Sequence, residues 1–287
     1  MFKIQKRSVA FFAFMLSSSI GSTEETVQVV ELPIAAVQQS QDTHPLPSPV
    51  EIPKEFPSRL QIGVDYTYIR FSPDGNPSFS GNLGGITFLY EYRPLNDWYA
   101  GAKFFWKQGN MNKCCDSFRS IIYINLEERF GYTAILKKNI SEMSVYSGLG
   151  YHYIFQGLTT TDNTTPLRFG YNEFYIPIGF ALNNNFLPWF AWGFNGTWMP
   201  QIFSIVSLHP LGGALWTVVQ RLCNFRVESP FDFALTQKRN LRLLVIPFYE
   251  YWQDGHSIAD TRNGYVLGLP GNTYNFVGLD VNVSYSF

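Results

Sequence analysis

Ionisable side chains of both signs recur at every second position of apolar segments in this sequence. This pattern allows two kinds of chemistry. In contact with water, the side chains would line a polar pore or a substrate site. Shielded from water, each would need an opposite charge or several hydrogen bonds, because an isolated charge away from water is costly. This charge set comprises Asp65, Glu91, Lys103, Glu127, Arg129, His152, Glu173, Arg226, Glu228, Asp232, Arg242, Glu250 and Asp280.

One acid and one base stand close together near the end of the chain, at Asp254 and His256. A His beside a carboxylate can activate water for hydrolysis when further acidic groups face it. The segments that we expect to form external loops contain no Asp-x-Asp partner for this pair. We therefore expect no catalytic residue and interpret the pair as part of a polar loop.

The sequence also lacks the features of a metal or cofactor site. Its histidines are scattered, without the spacing of metal ligands. Cys114 and Cys115 are adjacent and poorly placed to bond to each other, and Cys223 makes the number odd. Three free thiols are the favoured interpretation, and a bond to Cys223 or to another chain is the alternative. We expect no metal and no cofactor.

Strands are the elements that would position the charge set. Leu60, Ile62 and Val64 alternate with Gln61 and Asp65, and this period of two places apolar and polar side chains on opposite faces of a strand. The same test predicts about ten strands. The predicted strands lie near residues 59–68, 85–93, 98–107, 119–136, 141–155, 171–182, 188–200, 213–235, 241–252 and 273–287.

Two segments fit the alternation imperfectly. Glu128 falls on the apolar register of its strand, and residues 213–235 could break into a strand plus a bulge. Eight or twelve strands therefore remain possible.

The predicted connections alternate between short and long. Short turns are expected at 94–97, 137–139, 183–185 and 237–240, and long loops at about 72–81, 108–118, 156–169, 201–212 and 253–272. Bacterial outer-membrane barrels have short periplasmic turns, longer external loops and an even strand number. We therefore predict an all-β fold, an up-and-down antiparallel transmembrane β-barrel with both termini in the periplasm.

Aromatic residues cluster at the predicted strand ends. Two girdles of this kind suit rings that have an apolar body and a polar tip at a membrane interface. The set near the short turns is Tyr92, Trp98, Phe186, Trp189, Phe231 and Phe233, and the set near the long loops is Trp106, Tyr153, Phe155, Trp198, Tyr249 and Tyr251.

Composition agrees with a barrel. The chain is 17% aromatic and only 15% charged, whereas soluble domains carry about 25% charged residues. No apolar run reaches the length of about 18 residues that a helical span needs. A secreted soluble β-sandwich is the alternative, but it predicts neither apolar outward faces on nearly every strand nor the alternation of loop lengths.

The first 57 residues differ from the rest. Residues 1–22 have the order of a secretory signal peptide, with three basic residues, a short apolar run and a small polar stretch. Residues 23–57 are rich in Pro and read as a disordered periplasmic segment, followed by the barrel at 58–287. After cleavage the chain would carry more acidic than basic residues, so nucleic acid is not an expected partner.

The end of the chain carries a family resemblance. Val281, Val283, Tyr285 and Phe287 share one face of the last strand, and the chain stops on that Phe. This pattern resembles the terminal strand of Gram-negative outer-membrane β-barrel proteins. A weaker resemblance, to uncharacterised barrels of chlamydia-like bacteria, rests on Tyr90-Glu91-Tyr92 and on residues 248–252.

The resemblance implies a location and partners, but no activity. It implies export, insertion into the outer membrane by the barrel-assembly machinery through Val281, Val283, Tyr285 and Phe287, contact with outer-membrane lipid, and external loops that could bind a ligand or a host surface. Fold alone does not give function.

Three functions remain as hypotheses. The first is a structural or surface-interaction barrel without catalytic residues. The second is a narrow, porin-like channel for small solutes. The first is favoured because barrels of about eight strands are filled by their own side chains and open channels appear at roughly sixteen. The third is a protease similar to the omptin type, which would use Asp254 and His256.

Overall fold

The computed structural model describes residues 56–112, 118–137, 140–159, 167–209, 215–258 and 268–287. These residues belong to one compact unit, Glu51–Phe287. The predicted signal peptide and nearly all of the Pro-rich segment lie outside the described residues. In the described part of the chain, no helix is long and apolar enough to cross a membrane.

All the regular elements that are described are β-strands. They are β1 (Ser58–Pro73), β2 (Phe79–Tyr92), β3 (Asp97–Asn112), β4 (Phe118–Lys137), β5 (Ser141–Thr159), β6 (Leu167–Tyr175), β7 (Ile178–Leu187), β8 (Phe190–Trp198), β9 (Gln201–His209), β10 (Leu215–Thr217), β11 (Phe225–Glu228), β12 (Phe231–Ala234), β13 (Leu241–Asp254) and β14 (Asn272–Ser286).

The strands form a closed antiparallel barrel with ten positions around its wall. Neighbours in sequence pair from β1 to β5, and β1 also pairs with β14, which closes the ring. Three positions hold more than one strand in line: β6 with β7, β8 with β9, and β10 with β11 and β12. The last of these reaches β13 through β11 and β12. The predicted all-β barrel of ten strands is confirmed in this sense.

Proline accounts for the breaks at these three positions. Pro177 separates β6 from β7, Pro200 separates β8 from β9, and Pro230 separates β11 from β12. Proline has no N–H to give to a neighbouring strand, so regular pairing stops there. The segments predicted as single strands at 171–182 and 213–235 are therefore interrupted, whereas the strand predicted at 188–200 forms as β8 and ends before Pro200.

Two predicted connections are wrong. Residues 201–212 were expected to be a loop, but Gln201–His209 forms strand β9. Residues 183–185 were expected to be a turn, but they lie inside β7, and the turn falls at Pro188 and Trp189.

The remaining predicted loops are partly strand. β1 runs to Pro73 and β2 begins at Phe79, so the first loop is 74–78 rather than 72–81. The end of the barrel with the connections 93–96, 138–140, 188–189 and 235–240 is called the turn end, and the opposite end is the loop end. The chain enters and leaves at the turn end, where the Phe287 N–H donates to the Ser58 carbonyl at 2.9 Å.

The two faces of the wall differ as the alternation predicts. On β1, Ile62 and Val64 are more than 60% exposed, whereas Gln61 and Thr67 are at most 1% exposed. Outward-facing residues around the turn-end two-thirds of the wall are almost all apolar, and charged residues there face the interior, with Glu128 on β4 as an exception.

The interior has two layers. Most of the charge set occupies the turn end and the middle of the barrel, whereas His152 and Glu173 lie near the loop end. The loop end is filled by a buried apolar core that the sequence analysis did not predict. This aromatic layer includes Ile69, Phe71, Phe79, Leu83, Phe105, Met111, Ile121, Tyr123, Tyr171, Val206, Leu208, Trp216, Trp252, Tyr274 and Phe276.

Candidate functional site: the charged interior

The sequence-predicted charge set lies on the inner face of the wall. Each member other than Arg242 is less than 9% exposed, and Arg242 is half-buried. Strand alternation places them there, because successive side chains of a strand point to opposite faces and the neighbouring outward positions are nearly all apolar. The structure brings the members together in four groups of contacts.

The first group lies at the turn end around Glu91. Its carboxylate accepts from Arg59 at 2.5 Å, from Arg93 at 2.9 Å and from the Tyr99 hydroxyl at 3.0 Å. Asp232 accepts from Arg242 at 2.6 Å, with Arg59 3.7 Å away. Two acids and three bases therefore form a continuous chain across the turn end.

The second group is built around Arg226 on β11. Its guanidinium donates to Glu228 at 2.6 Å, to Glu250 at 2.8 Å and to Asp280 at 3.3 Å. The same group lies 3.9 Å from the centre of the Phe248 ring, a cation–π distance. Arg226 thus ties together β11, β13 and β14.

Two lysines complete the middle of the barrel. Lys103 donates to Glu228 at 2.5 Å. Lys107 lies 2.7 Å from Asp65 and also donates to the Thr67 hydroxyl at 3.0 Å. Lys103 reaches Glu228 on β11 across the barrel, whereas Lys107 reaches Asp65 on β1 across the one intervening strand, β2.

The third group joins Arg129 to Glu127, two inward neighbours on β4. The Tyr175 hydroxyl donates to Glu127 and Asn125, each at 2.9 Å. Arg129 also lies 4.6 Å from the centre of the Tyr146 ring. This group fills the interior beneath β5 and β6.

The fourth group is near the loop end and contains Glu173. One carboxylate oxygen accepts from Ser204 at 2.9 Å and Gln201 at 3.1 Å. The other accepts from the Trp252 indole at 2.6 Å and lies 2.9 Å from the His152 ring nitrogen. His152 stacks on Trp252, with ring centres 3.7 Å apart.

Asp254 and His256 are not brought together as a catalytic pair. Asp254 ends β13 and is buried, and its carboxylate accepts from the Trp252 indole at 3.0 Å. His256 is exposed. The Asp254 carboxylate therefore belongs to the buried interior network, whereas the His256 imidazole lies at the surface.

Sequence reasoning missed several members of the network. Arg59 lies at the start of β1 and Arg93 directly follows β2. The alternation predicts an inward position for Arg93, but neither residue was included in the charge set. Inward tyrosines such as Tyr99 and Tyr175 were not separated from ordinary apolar residues. The Tyr99 hydroxyl donates to Glu91 and the Tyr175 hydroxyl donates to Glu127. The inward position of these tyrosines in the strand alternation is the sequence signal that could have identified them.

The arrangement can hold strands together but offers little room for chemistry. Among the described residues, no cluster of three or more His, Cys, Asp or Glu could hold a metal ion. A space of about 660 Å³, its open mouth included, lies at the turn end. Its walls carry both signs, from Arg59, Arg93 and Lys103 to Glu91 and Asp232. Such mixed walls do not select a charged ligand.

The residues of the proposed assembly signal lie on the outer face of β14. Val283, Tyr285 and Phe287 are exposed, and Val281 is half-exposed. Tyr285 and Phe287 stack with ring centres 6.2 Å apart. The terminal segment therefore presents an apolar edge toward the surroundings of the barrel.

No protein-family model and no curated protein match the sequence. Several solved structures are similar to it. The translocator domain of autotransporter NalP from Neisseria meningitidis is 11% identical, with 82% of this chain and 90% of that chain covered and a TM-score of 0.45. The transport unit of autotransporter AIDA-I from Escherichia coli is 8% identical, with 83% and 93% covered and a TM-score of 0.43.

Ail, the attachment invasion locus protein of Yersinia pestis, is 11% identical, with 81% of this chain and 100% of that chain covered and a TM-score of 0.35. These neighbours are Gram-negative outer-membrane β-barrels. At such identities the similarity concerns fold alone.

Proposed function

We propose that the chain is an integral β-barrel protein of a bacterial outer membrane, and that it acts through the surface at its loop end rather than as a pore or an enzyme. One observation carries this proposal: an apolar outer wall encloses an interior that holds buried charge pairs and is closed at the loop end by aromatic side chains.

The outer wall supports insertion in a membrane. The outward residues of β1 from Leu60 to Tyr68 are all apolar or aromatic, and this stretch of nine residues matches the 9–11 that a tilted transmembrane strand requires. Trp98 and Trp189, at the turn end, are more than half exposed. A closed barrel also leaves no unpaired strand edge in lipid.

The aromatic layer supports a closed interior. Phe71, Trp216, Trp252, Tyr274 and Phe276 are each at most 2% exposed and pack in one cluster. Phe71 and Tyr274 lie 5.0 Å apart, and Tyr274 and Phe276 lie 6.1 Å apart, between ring centres. An ion would have to displace these rings to pass, so conduction is not expected.

The loop end supports a role in surface interaction. Beyond the apolar band the outward residues become polar, as at Gln108, Asn110 and Asn112 on β3, which are exposed. The strands therefore extend past the membrane on this side. An external ligand or a host surface is the proposed partner, and the barrel-assembly machinery is the proposed partner during insertion.

Two measurements test the proposal. The protein, folded in detergent, should migrate differently before and after heating, as a stable closed barrel does. Added to a planar bilayer, it should give no discrete conductance steps. Reproducible steps would support the narrow-pore alternative instead, and extraction from cell envelopes by salt without detergent would contradict membrane insertion.

A further inference from the structure

One charged side chain faces outward near the middle of the apolar wall. Glu128 on β4 is exposed, between Leu126 and Phe130, which are 48% and 63% exposed. The aromatic row at Tyr132 is four residues away toward the turn end, roughly 10 Å of membrane depth on a tilted strand. Glu128 would therefore lie deep within the hydrocarbon layer.

Within the described residues, Glu128 has no hydrogen-bond or ion-pair partner. At its height the outward-facing residues of the described strands include no Lys, Arg or His, and outward cations such as Arg70 and Arg168 lie near the loop end. An ionisable group in lipid is costly and normally faces another protein surface or a cavity. The carboxyl group thus needs a partner from outside the chain.

A second polar group stands beside it. Ser147 on β5 is exposed, and it pairs in register with Phe130, while Glu128 pairs with Leu149. Glu128 and Ser147 are therefore diagonal neighbours on the same face, about 7–8 Å apart. Ser147 likewise has no hydrogen-bond partner among the described residues. Another outward serine, Ser229, already accepts from the Trp192 indole at 2.8 Å.

The surroundings of this pair permit close approach. In register with Glu128 and Phe130, strand β3 presents Ala102 and Ala100 rather than large side chains. Small residues at a membrane interface let two backbones come near each other. The nine outward residues of this β3–β5 face are Ala100, Ala102, Phe104, Leu126, Glu128, Phe130, Ser147, Leu149 and Tyr151.

We propose that the β3–β5 face binds a second copy of this chain in the membrane, with Glu128 of each copy accepting a hydrogen bond from Ser147 of the other. In a two-fold interface, residue i of one copy contacts residue j of the other, and j of the first copy contacts i of the second. With Glu128 as the acceptor and Ser147 as the donor, such an interface contains two equivalent hydrogen bonds. The axis would run along the membrane normal between the two residues, near Leu149. This inference rests on the proposed membrane insertion.

The self-complementary chemistry selects a second copy over a foreign partner. A carboxylate that accepts a hydrogen bond from a hydroxyl group forms a charge-assisted hydrogen bond, and this bond needs no cation. The face itself supplies that donor, so no other protein is required.

Cysteine cross-linking in lipid vesicles tests the proposal. The full-length chain, with Cys114, Cys115 and Cys223 replaced by Ser, carries one new cysteine, either Leu149→Cys on the proposed interface or Val245→Cys on β13, four positions away around the ten-position wall. Oxidation should give a covalent dimer for Leu149→Cys and not for Val245→Cys. Equal cross-linking at both positions would overturn the proposal.

Polar variants test the hydrogen bonds. Glu128→Leu or Ser147→Ala, added to the Leu149→Cys protein, should each lower dimer association by about tenfold, because each removes both reciprocal bonds. The matched control Ser229→Ala should leave it unchanged. An unchanged dimer in Glu128→Leu, a monomer in the parent protein, or recovery of a foreign cationic protein on this face would each overturn the proposal. Heat-modifiable migration of every variant separates loss of the dimer from failure of the barrel to insert.

Discussion

The Lys107 ammonium group lies 2.7 Å from the Asp65 carboxylate, and both side chains are fully shielded from solvent. Lys107 comes from β3 and Asp65 from β1, and both are in register with Gly85 on the intervening strand β2, so the pair reaches across one strand. A buried pair of this kind matters most when one member is removed, because the remaining charge has no counter-charge.

We expect Lys107→Met to lower the free energy of unfolding by about 3–5 kcal/mol, because it leaves Asp65 without its cation. The double variant Lys107→Met with Asp65→Asn should regain part of that loss. Urea-induced unfolding in lipid vesicles measures both. Lys137→Met, at an exposed strand end, is the control and should change stability by no more than about 0.5 kcal/mol.

Arg226 should not be replaceable by Lys. Its planar guanidinium reaches Glu228, Glu250 and Asp280 at once, whereas an ammonium group is a point charge that cannot span three acids in one plane. Arg226→Lys should therefore destabilise the barrel by about 2 kcal/mol or more. The same urea titration checks this, and a variant as stable as the parent would show that charge alone is sufficient.

The turn-end half of the barrel was predictable from sequence because its two faces differ in polarity. From Leu60 to Tyr68 the outward residues are apolar and the inward ones polar, so the period of two and the direction of each side chain could be predicted together. The inward charges followed from the same pattern. Their individual partners did not, because alternation gives the face of each residue but not the register between strands, which sets Lys107 beside Asp65 across Gly85.

The loop-end half was not predictable from alternation. At Ile69 and Arg70 the faces exchange character: Ile69 is buried inside the barrel and Arg70 is exposed outside. The period of two continues, but here the apolar residues face the interior and the polar residues face outward. The apolar face therefore no longer indicates the membrane side of the strand, and strand residues were assigned to loops. For the same reason Asp254 was predicted to lie in a loop, although it continues β13 into the interior.

Gly150 should be sensitive to a single added methyl group. It lies on the inner face of β5, and a Cβ there would overlap the ring of Tyr175, whose hydroxyl is held by Asn125 and Glu127. Gly150→Ala should destabilise the barrel by about 1–3 kcal/mol through overpacking. Gly84→Ala is the matched control, because nothing lies within 4 Å of the Cβ at that strand position. Equal stability of the two variants would contradict the packing seen around Tyr175.

His256 should not contribute to any hydrolysis. It is exposed, while Asp254 is buried and bound to Trp252, so the two cannot orient and activate one water together. A peptide substrate incubated with the folded protein should remain intact, and His256→Ala should leave its turnover at background level. Cleavage that disappears in His256→Ala would instead restore the omptin-like hypothesis.

Opening the aromatic layer should convert the barrel into a conductor. Trp216 and Trp252 are among the largest fully buried side chains of the described residues, and they lie in the layer that closes the loop end. Replacing both with Ala would leave a void that the surrounding wall cannot fill completely. We expect discrete conductance steps in a planar bilayer from the double variant and none from the parent. Trp98→Ala removes a Trp that is 74% exposed on the outer wall and should give no conductance steps. If the double variant keeps heat-modifiable folding but gives no conductance steps, the barrier to ions lies elsewhere in the barrel.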